Sequence, residues 1–266
     1  MRVTILGSGT LVPDGRRGPA GHVVQSEQLN LLLDGGTGTL RRLAEAGVDY
    51  RQVDHLLYTH VHPDHTGDLV PMLFAQRHTP GQARTRPMWI YGPPGFDDFF
   101  TRLMTIYGDW VQSPVYDCIV TELERATRQL ADLELTTVPM HHPVPCIGYR
   151  LTGPAGESMA YTGDTDETDG VVELARDVDL LIIDCSTPDE HKVDGHLSPG
   201  RAGKLAARAG ARTVVLSHLY PICEEVDIVA QCRRHYDGAV VVARDLLEFE
   251  LSPGRTTLEL GSKSSG

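Results

Sequence analysis

Short apolar runs of strand length alternate along this chain with amphipathic stretches of helical period. RVTILG (2–7), HVVQS (22–26) and NLLLD (30–34) predict the opening strands, and Gly35–Gly36 turns the chain into an amphipathic segment, GTLRRLAEAG (38–47). VDHLLYTH (53–60) predicts a buried strand, after which Leu69, Met72, Leu73 and Gln76 recur at helical spacing over 67–77. MWIYG, LELTTVPM, IGYRL, SMAYTG, VDLLIID, TVVLSH, AVVVA and LLEFEL predict further strands. FDDFFTRLMTIY, DGVVELARD, PGRAGKLAARAG and EVDIVAQCRRHY predict helices. Strands alternating with helices place the chain in the α/β class. One domain is expected over residues 1–251, followed by a tail, 252–266, that ends in a flexible GSKSSG.

Composition narrows the class further. A chain of 266 residues with 41% hydrophobic and 23% charged side chains can bury a substantial core in one domain. The longest apolar runs, VDLLII and GAVVVA, are too short to cross a bilayer, and MRVTILGSGT lacks the apolar core and cleavage site of a signal peptide. A cytoplasmic protein without membrane partners is therefore expected. The five cysteines are scattered, with no CxxC pair, which points to small buried hydrophobes rather than disulfides or a thiolate metal site. A formal net charge of −12 opposes a broad nucleic-acid-binding face, so long nucleic acid is not an expected partner and a small anionic substrate is. Residues 89–116 hold half of the aromatic side chains, a density that suits an apolar wall for substrate, a homodimer interface or a satellite core.

THVHPDHTGD, residues 59–68, crowds three histidines and two aspartates behind the VDHLLY strand. In extended chain, side chains two apart point the same way, so His60 and His62 can converge on one metal ion. Asp64 and His65, after Pro63 bends the chain, can reach a second. Further ligands must come from elsewhere. Three candidates stand at the C-terminal ends of apolar strands, where α/β sheets place their sites: His141 or His142 after LTTVPM, Asp164 after SMAYTG, and His218 after TVVLS. Singly, each reads as a capped turn or a hydrogen-bonded core residue. Together with the cluster they complete a dinuclear site.

The succession of HxHxDH at 60–65, a later His, Asp in TGDT and a final SHL resembles the metallo-β-lactamase superfamily. GSGTLVP, LLLDGGTGTLRRL, HPVPCIGYR, GHLSPGRAGKLAARAG and VVLSHLYP extend the resemblance over almost the whole chain, to the ribonuclease Z-like branch. That resemblance implies an αββα sandwich, two facing mixed sheets flanked by helices. It implies one divalent ion on His60, His62 and His142, another on Asp64, His65 and His218, and Asp164 bridging both. His142 is chosen over His141 because it directly precedes PVPCIGYR. Zinc suits nitrogen and carboxylate donors best, with manganese or iron as alternatives. Two such ions, about 4 Å apart, acidify a shared water and clamp the substrate oxygens. Asp64 would orient that hydroxide with its free oxygen. The resemblance also puts a functional histidine at His196, in the loop before a helix that Ser198 and Pro199 open, where a protonated imidazole could serve the leaving oxygen.

Departures from ribonuclease Z set the expected substrate. The link from His142 to Asp164, PVPCIGYRLTGPAGESMAYTG, is too short for a tRNA-gripping arm. The family's Pro-x-Lys-x-Arg-Asn loop has become PDGRRG, and its His-Glu-Ala-Thr has become DCST (184–187), which loses the glutamate. The leading expectation is a metal-dependent hydrolase of phosphodiester bonds in small or nucleotide-like substrates. Ester, lactone or sulfate-ester hydrolysis by the same site is the alternative. Behind them stand tRNA 3′ processing and a non-catalytic binding module, the last opposed by the complete ligand set.

Overall fold

A computed structural model describes residues 1–259. Its strands, in chain order, are β1 (Arg2–Gly7), β2 (Gly21–Gln25), β3 (Asn30–Leu33), β4 (Val53–Leu57), β5 (Met88–Gly92), β6 (Cys118–Glu122), β7 (Ala126–Leu130) and β8 (Leu133–Pro139). They continue as β9 (Ile147–Thr152), β10 (Ser158–Tyr161), β11 (Leu180–Asp184), β12 (Thr213–Ser217), β13 (Ala239–Val242), β14 (Leu247–Ser252) and β15 (Arg255–Glu259). The helices are α1 (Thr39–Glu45), α2 (Pro63–Thr66), α3 (Leu69–His78), α4 (Phe96–Tyr107), α5 (Asp169–Leu174), α6 (Pro199–Ala209) and α7 (Ile228–Arg233).

The strands make two mixed sheets, ordered β15-β14-β1-β2-β3-β4-β5-β6 and β13-β12-β11-β10-β9-β8-β7. Pairing is parallel from β3 to β6 and from β10 to β13, and antiparallel elsewhere. Alternation along a strand explains the layering. Leu31 and Leu33 of β3 face the other sheet, as do Leu180 and Ile182 of β11. Leu32 turns instead toward Leu43, Leu69 and Phe96 of the helices on its side. Leu181 and Ile183 turn toward Leu205 and Ala206 of α6. Strands covered on both faces read as unbroken apolar runs, which is why most were predictable. The result is the expected αββα sandwich.

Three strands escape the hydrophobic pattern. β6, β7 and β15 are edge strands with mostly exposed or half-exposed side chains. A strand buried on neither face has no apolar period to display. Because β15 pairs with β14 through residue 259, the sandwich runs past the boundary expected at 251. The remainder of the expected tail, 260–266, lies outside the described residues.

The aromatic segment 89–116 is a core element rather than a substrate wall. Phe96, Phe100, Met104 and Tyr116 are buried under the first sheet's helices. Its exposed members, Tyr107 and Trp110, come at the end of α4, which starts at the strand ends bearing the site and runs back along β5 and β6. Twelve helical residues span about 18 Å, which removes them from the chemistry. Only the interface reading keeps a surface there. No helix among the described residues is long and apolar enough to cross a membrane.

Candidate metal centre

β4, β8, β10 and β12 end on the same edge of the sandwich, and each delivers a donor there. After β4 the chain stays extended through His60 and His62. It then enters α2 with His62 as N-cap and Pro63 in the first turn, so one helical turn carries Asp64 and His65. The bend anticipated at Pro63 is thus a helix start. Two glycines permit the approach. A Cβ on Gly36 would lie 2.2 Å from the Asp64 carbonyl, and one on Gly163, at φ 59°, would lie 2.6 Å from Thr59 Cβ.

The donors fall into two groups around one carboxylate. Asp164 Oδ2 lies 3.6 Å from His60 Nε2 and 4.0 Å from His142 Nε2, and His62 Nδ1 stands 3.3 Å from His142 Nε2. Asp164 Oδ1 lies 3.3 Å from His65 Nε2 and 3.4 Å from His218 Nε2, while Asp64 Oδ2 is 3.2 Å from His218 Nε2. All seven sequence-predicted donors therefore converge, split into two trios by the two oxygens of Asp164. His141 is exposed, outside the cluster.

Two buried aspartates that the sequence reading missed hold the imidazoles. Asp34 accepts the His65 Nδ1–H at 2.8 Å, the Thr59 hydroxyl at 2.8 Å and the Tyr161 hydroxyl at 2.7 Å. Thr59 in turn receives His60 Nδ1 at 3.0 Å. Asp184 accepts His196 Nδ1 at 2.9 Å and the Ser186 hydroxyl at 2.8 Å, and Ser186 receives His218 Nδ1 at 3.0 Å. His142 Nδ1 donates to the Gly195 carbonyl at 2.9 Å. These partners assign an Nδ1-protonated tautomer to His60, His65, His142 and His218, leaving each Nε2 lone pair aimed inward. DCST lacks the glutamate, as its sequence says, and its Asp184 sets a carboxylate on His196.

Electrostatics follow from burial and from this carboxylate supply. Burial opposes a charged His65, but Asp164 and Asp34 outweigh it and hold His65 well above the ordinary imidazole value. Burial, reinforced by His65, pushes His60 well below that value. Burial likewise works against ionised Asp164, yet His218 and His65 hold it well below the usual carboxylate range. Burial lowers His196, but the Asp184 hydrogen bond and charge, with Asp164, raise it to about 9.

The donor set fits divalent metal. His60 Nε2, His65 Nε2 and Asp164 Oδ1 are buried with no hydrogen-bond partner, a costly arrangement unless a cation satisfies them. A further grouping of Asp164, Asp184, His196 and His218 is chemically weaker. There, Asp184 Oδ2 and His196 Nδ1 are committed to each other at 2.9 Å. The five cysteines are all free, four of them buried, and none is among the clustered donors.

A family model described as "Beta-lactamase superfamily domain" matches residues 29–219. An uncharacterised protein of Mycobacterium tuberculosis is 34% identical over 258 residues, covering 90% of this chain and 88% of the relative. A ribonuclease Z of Nocardia farcinica is 28% identical over 303 residues, covering 95% and 98%. Among solved structures, the metallo-beta-lactamase fold protein YhfI from Bacillus subtilis superposes with a TM-score of 0.81 at 23% identity, covering 94% of this chain and 98% of that one. Between His142 and Asp164 this chain has only β9, β10 and their turns, with no room for an arm. With the fold, the donor set and these matches agreeing, the chain belongs to the metallo-β-lactamase superfamily, as a hydrolase similar in sequence to ribonuclease Z.

Proposed function

We propose that the protein is a dinuclear metal-dependent hydrolase of phosphodiester bonds in small, nucleotide-like, anionic substrates, working as a single domain. The observation that carries the proposal is the division of the Asp164 oxygens between two histidine-containing trios. His60, His62 and His142 would hold one ion, Asp64, His65 and His218 the other, and Asp164 both. Bound there, two divalent ions supply Lewis acidity and an acidified water. Zinc is the ion that these nitrogen and carboxylate donors suit best.

The chain's own groups supply the remainder. The Asp64 side chain retains 17% exposure, so one oxygen can face His218 while the other orients the attacking water. His196, with Nδ1 on Asp184, keeps Nε2–H free of that bond and can give its proton to the departing oxygen. Support for a phosphodiester comes from the relative named ribonuclease Z and from a leaving-group acid suited to alkoxides. The missing arm and the net charge of −12 argue against pre-tRNA as the substrate.

The test is a panel run on protein of known metal content: an aryl phosphodiester, an aryl phosphomonoester, an aryl sulfate, an acyl-homoserine lactone and a pre-tRNA. Two ions per chain, fastest turnover of the diester and negligible pre-tRNA cleavage are expected. Faster lactone or sulfate turnover, or efficient 3′ processing at physiological salt, overturns the substrate class.

The Asp34 network makes a separate prediction. Four donors, from Thr59 (two), Tyr161 and His65, converge on its two oxygens. Asp34→Asn turns one oxygen into a donor facing donors, which loosens His60 and His65 together. Metal affinity should fall about 10–100-fold. Competition with a chromogenic chelator reads this directly, and unchanged affinity would show that Asp34 only fills space.

A further inference from the structure

Resting on the phosphodiester reading, we infer that Tyr220 is a stacking platform for an aromatic ring on the substrate's ester arm. The preferred substrates are then nucleotides rather than alkyl phosphodiesters. The first observation is position. Tyr220 is half-buried, and its ring centroid lies 6.3 Å from that of His218 at an interplanar angle of 80°. The other tyrosines near the centre, Tyr58, Tyr149 and Tyr161, are buried beneath it, and the exposed Trp110 stands at the far end of α4. Among the Phe, Tyr and Trp rings of the described residues, Tyr220 is the one that packs against the ligand set without being fully buried.

The second observation is rigidity. The Tyr220 N–H donates to the Ser186 carbonyl at 3.0 Å, and the Leu219 N–H donates to the Ser8 carbonyl at 3.1 Å. Pro221 follows, and Tyr220 sits at φ −74° and ψ 154°, the extended conformation that a succeeding proline enforces. Ser186 holds both this backbone and the His218 ring, so the backbone that carries the phenol is fixed relative to a metal-site imidazole, against which the ring packs edge-on. A ring immobilised before binding loses little entropy when it stacks.

The third observation is the surroundings. Gly9 bridges to Leu219, so the chain leaves Thr10 alongside Tyr220 and presents Leu11 and Val12, 49% and 43% exposed. An acidic protein thus carries a half-buried ring against a metal-site histidine, with two exposed aliphatic side chains following Thr10 on the neighbouring chain segment. That chemistry receives the face of a base, with the phosphate left to the metal centre. Every base has a π-face, so the platform selects for a base without choosing which.

Calorimetry on metal-loaded protein tests this without requiring turnover, using adenosine 5′-monophosphate and ribose 5-phosphate as probes. The nucleotide should bind about ten-fold or more tighter than the sugar phosphate. Tyr220→Leu should bring the two affinities within about two-fold, and Tyr220→Phe should restore the gap. Metal content and ribose 5-phosphate affinity should stay unchanged in both variants. The inference is overturned if the wild type binds neither probe or binds both equally. It is also overturned if Tyr220→Leu leaves the gap intact, or weakens both probes alike because the residue merely supports His218. Neither probe contains a diester bond, so failure of the hydrolysis panel leaves this result standing and separates the two ideas.

Discussion

Asp164→Asn should leave a folded protein that no longer holds two ions and whose turnover falls on the order of 10³-fold or more. The carboxylate is 2% exposed, and its two oxygens face different histidine trios. An amide is neutral and offers one acceptor oxygen, so it can serve one trio at most. Its nitrogen would turn donor hydrogens toward the other ion. Loss of the negative charge also removes a counterweight to the positive charge that two divalent ions would bring. Elemental analysis and circular dichroism, read beside turnover of the aryl phosphodiester, separate loss of metal from loss of fold. A variant with two tightly held ions and full activity would show that Asp164 bridges nothing.

The parts of this site that were legible in the sequence share a physical cause. β10, β11 and β12, and the C-terminal half of β4, are buried on both faces, so they appear as apolar runs, and a polar residue at the end of such a run is conspicuous. His60, Asp164 and His218 were visible for that reason. His142 could be separated from His141 only by the family phrase that follows it, since strand geometry treats neighbours in a loop alike. Asp34 and Asp184 end apolar runs just as visibly, yet an aspartate at a strand end reads as a turn. Their partners lie up to 127 residues away, and no local pattern encodes that proximity. The signal that could have found them is their place at the same sheet edge as the histidine cluster. The aromatic segment 89–116 leaves satellite core, substrate wall and interface open in the sequence for a related reason. Helical period identifies a buried face, but it does not say at which end of the sandwich the exposed residues emerge.

His196→Ala should keep both ions and the fold, yet lower kcat about 10²–10⁴-fold on a diester with an alkoxide leaving group. The ring stacks on His218, with centroids 5.2 Å apart at an interplanar angle of 9°, and its side chain is 15% exposed, so it adjoins the centre and still meets solvent. Nδ1 is spent on Asp184, which orients Nε2–H and stabilises the imidazolium. Burial works against that charge, but Asp184 and Asp164 raise the pKa to about 9. Because the pKa is raised, the acid form persists below about 9, and activity that needs it falls as pH rises through that value. Two divalent ions nearby would lower the value, so the alkaline limb should appear at or below pH 9. A nitrophenolate departs without a proton, so the aryl diester should lose far less rate in the variant and show a flatter alkaline limb. Asp184→Asn, which keeps the hydrogen bond but removes the charge, should shift that limb to lower pH. Loss of metal in His196→Ala would instead make the residue a ligand, as its place beside Asp164 and His218 permits. Full activity on the alkoxide substrate would end the acid assignment.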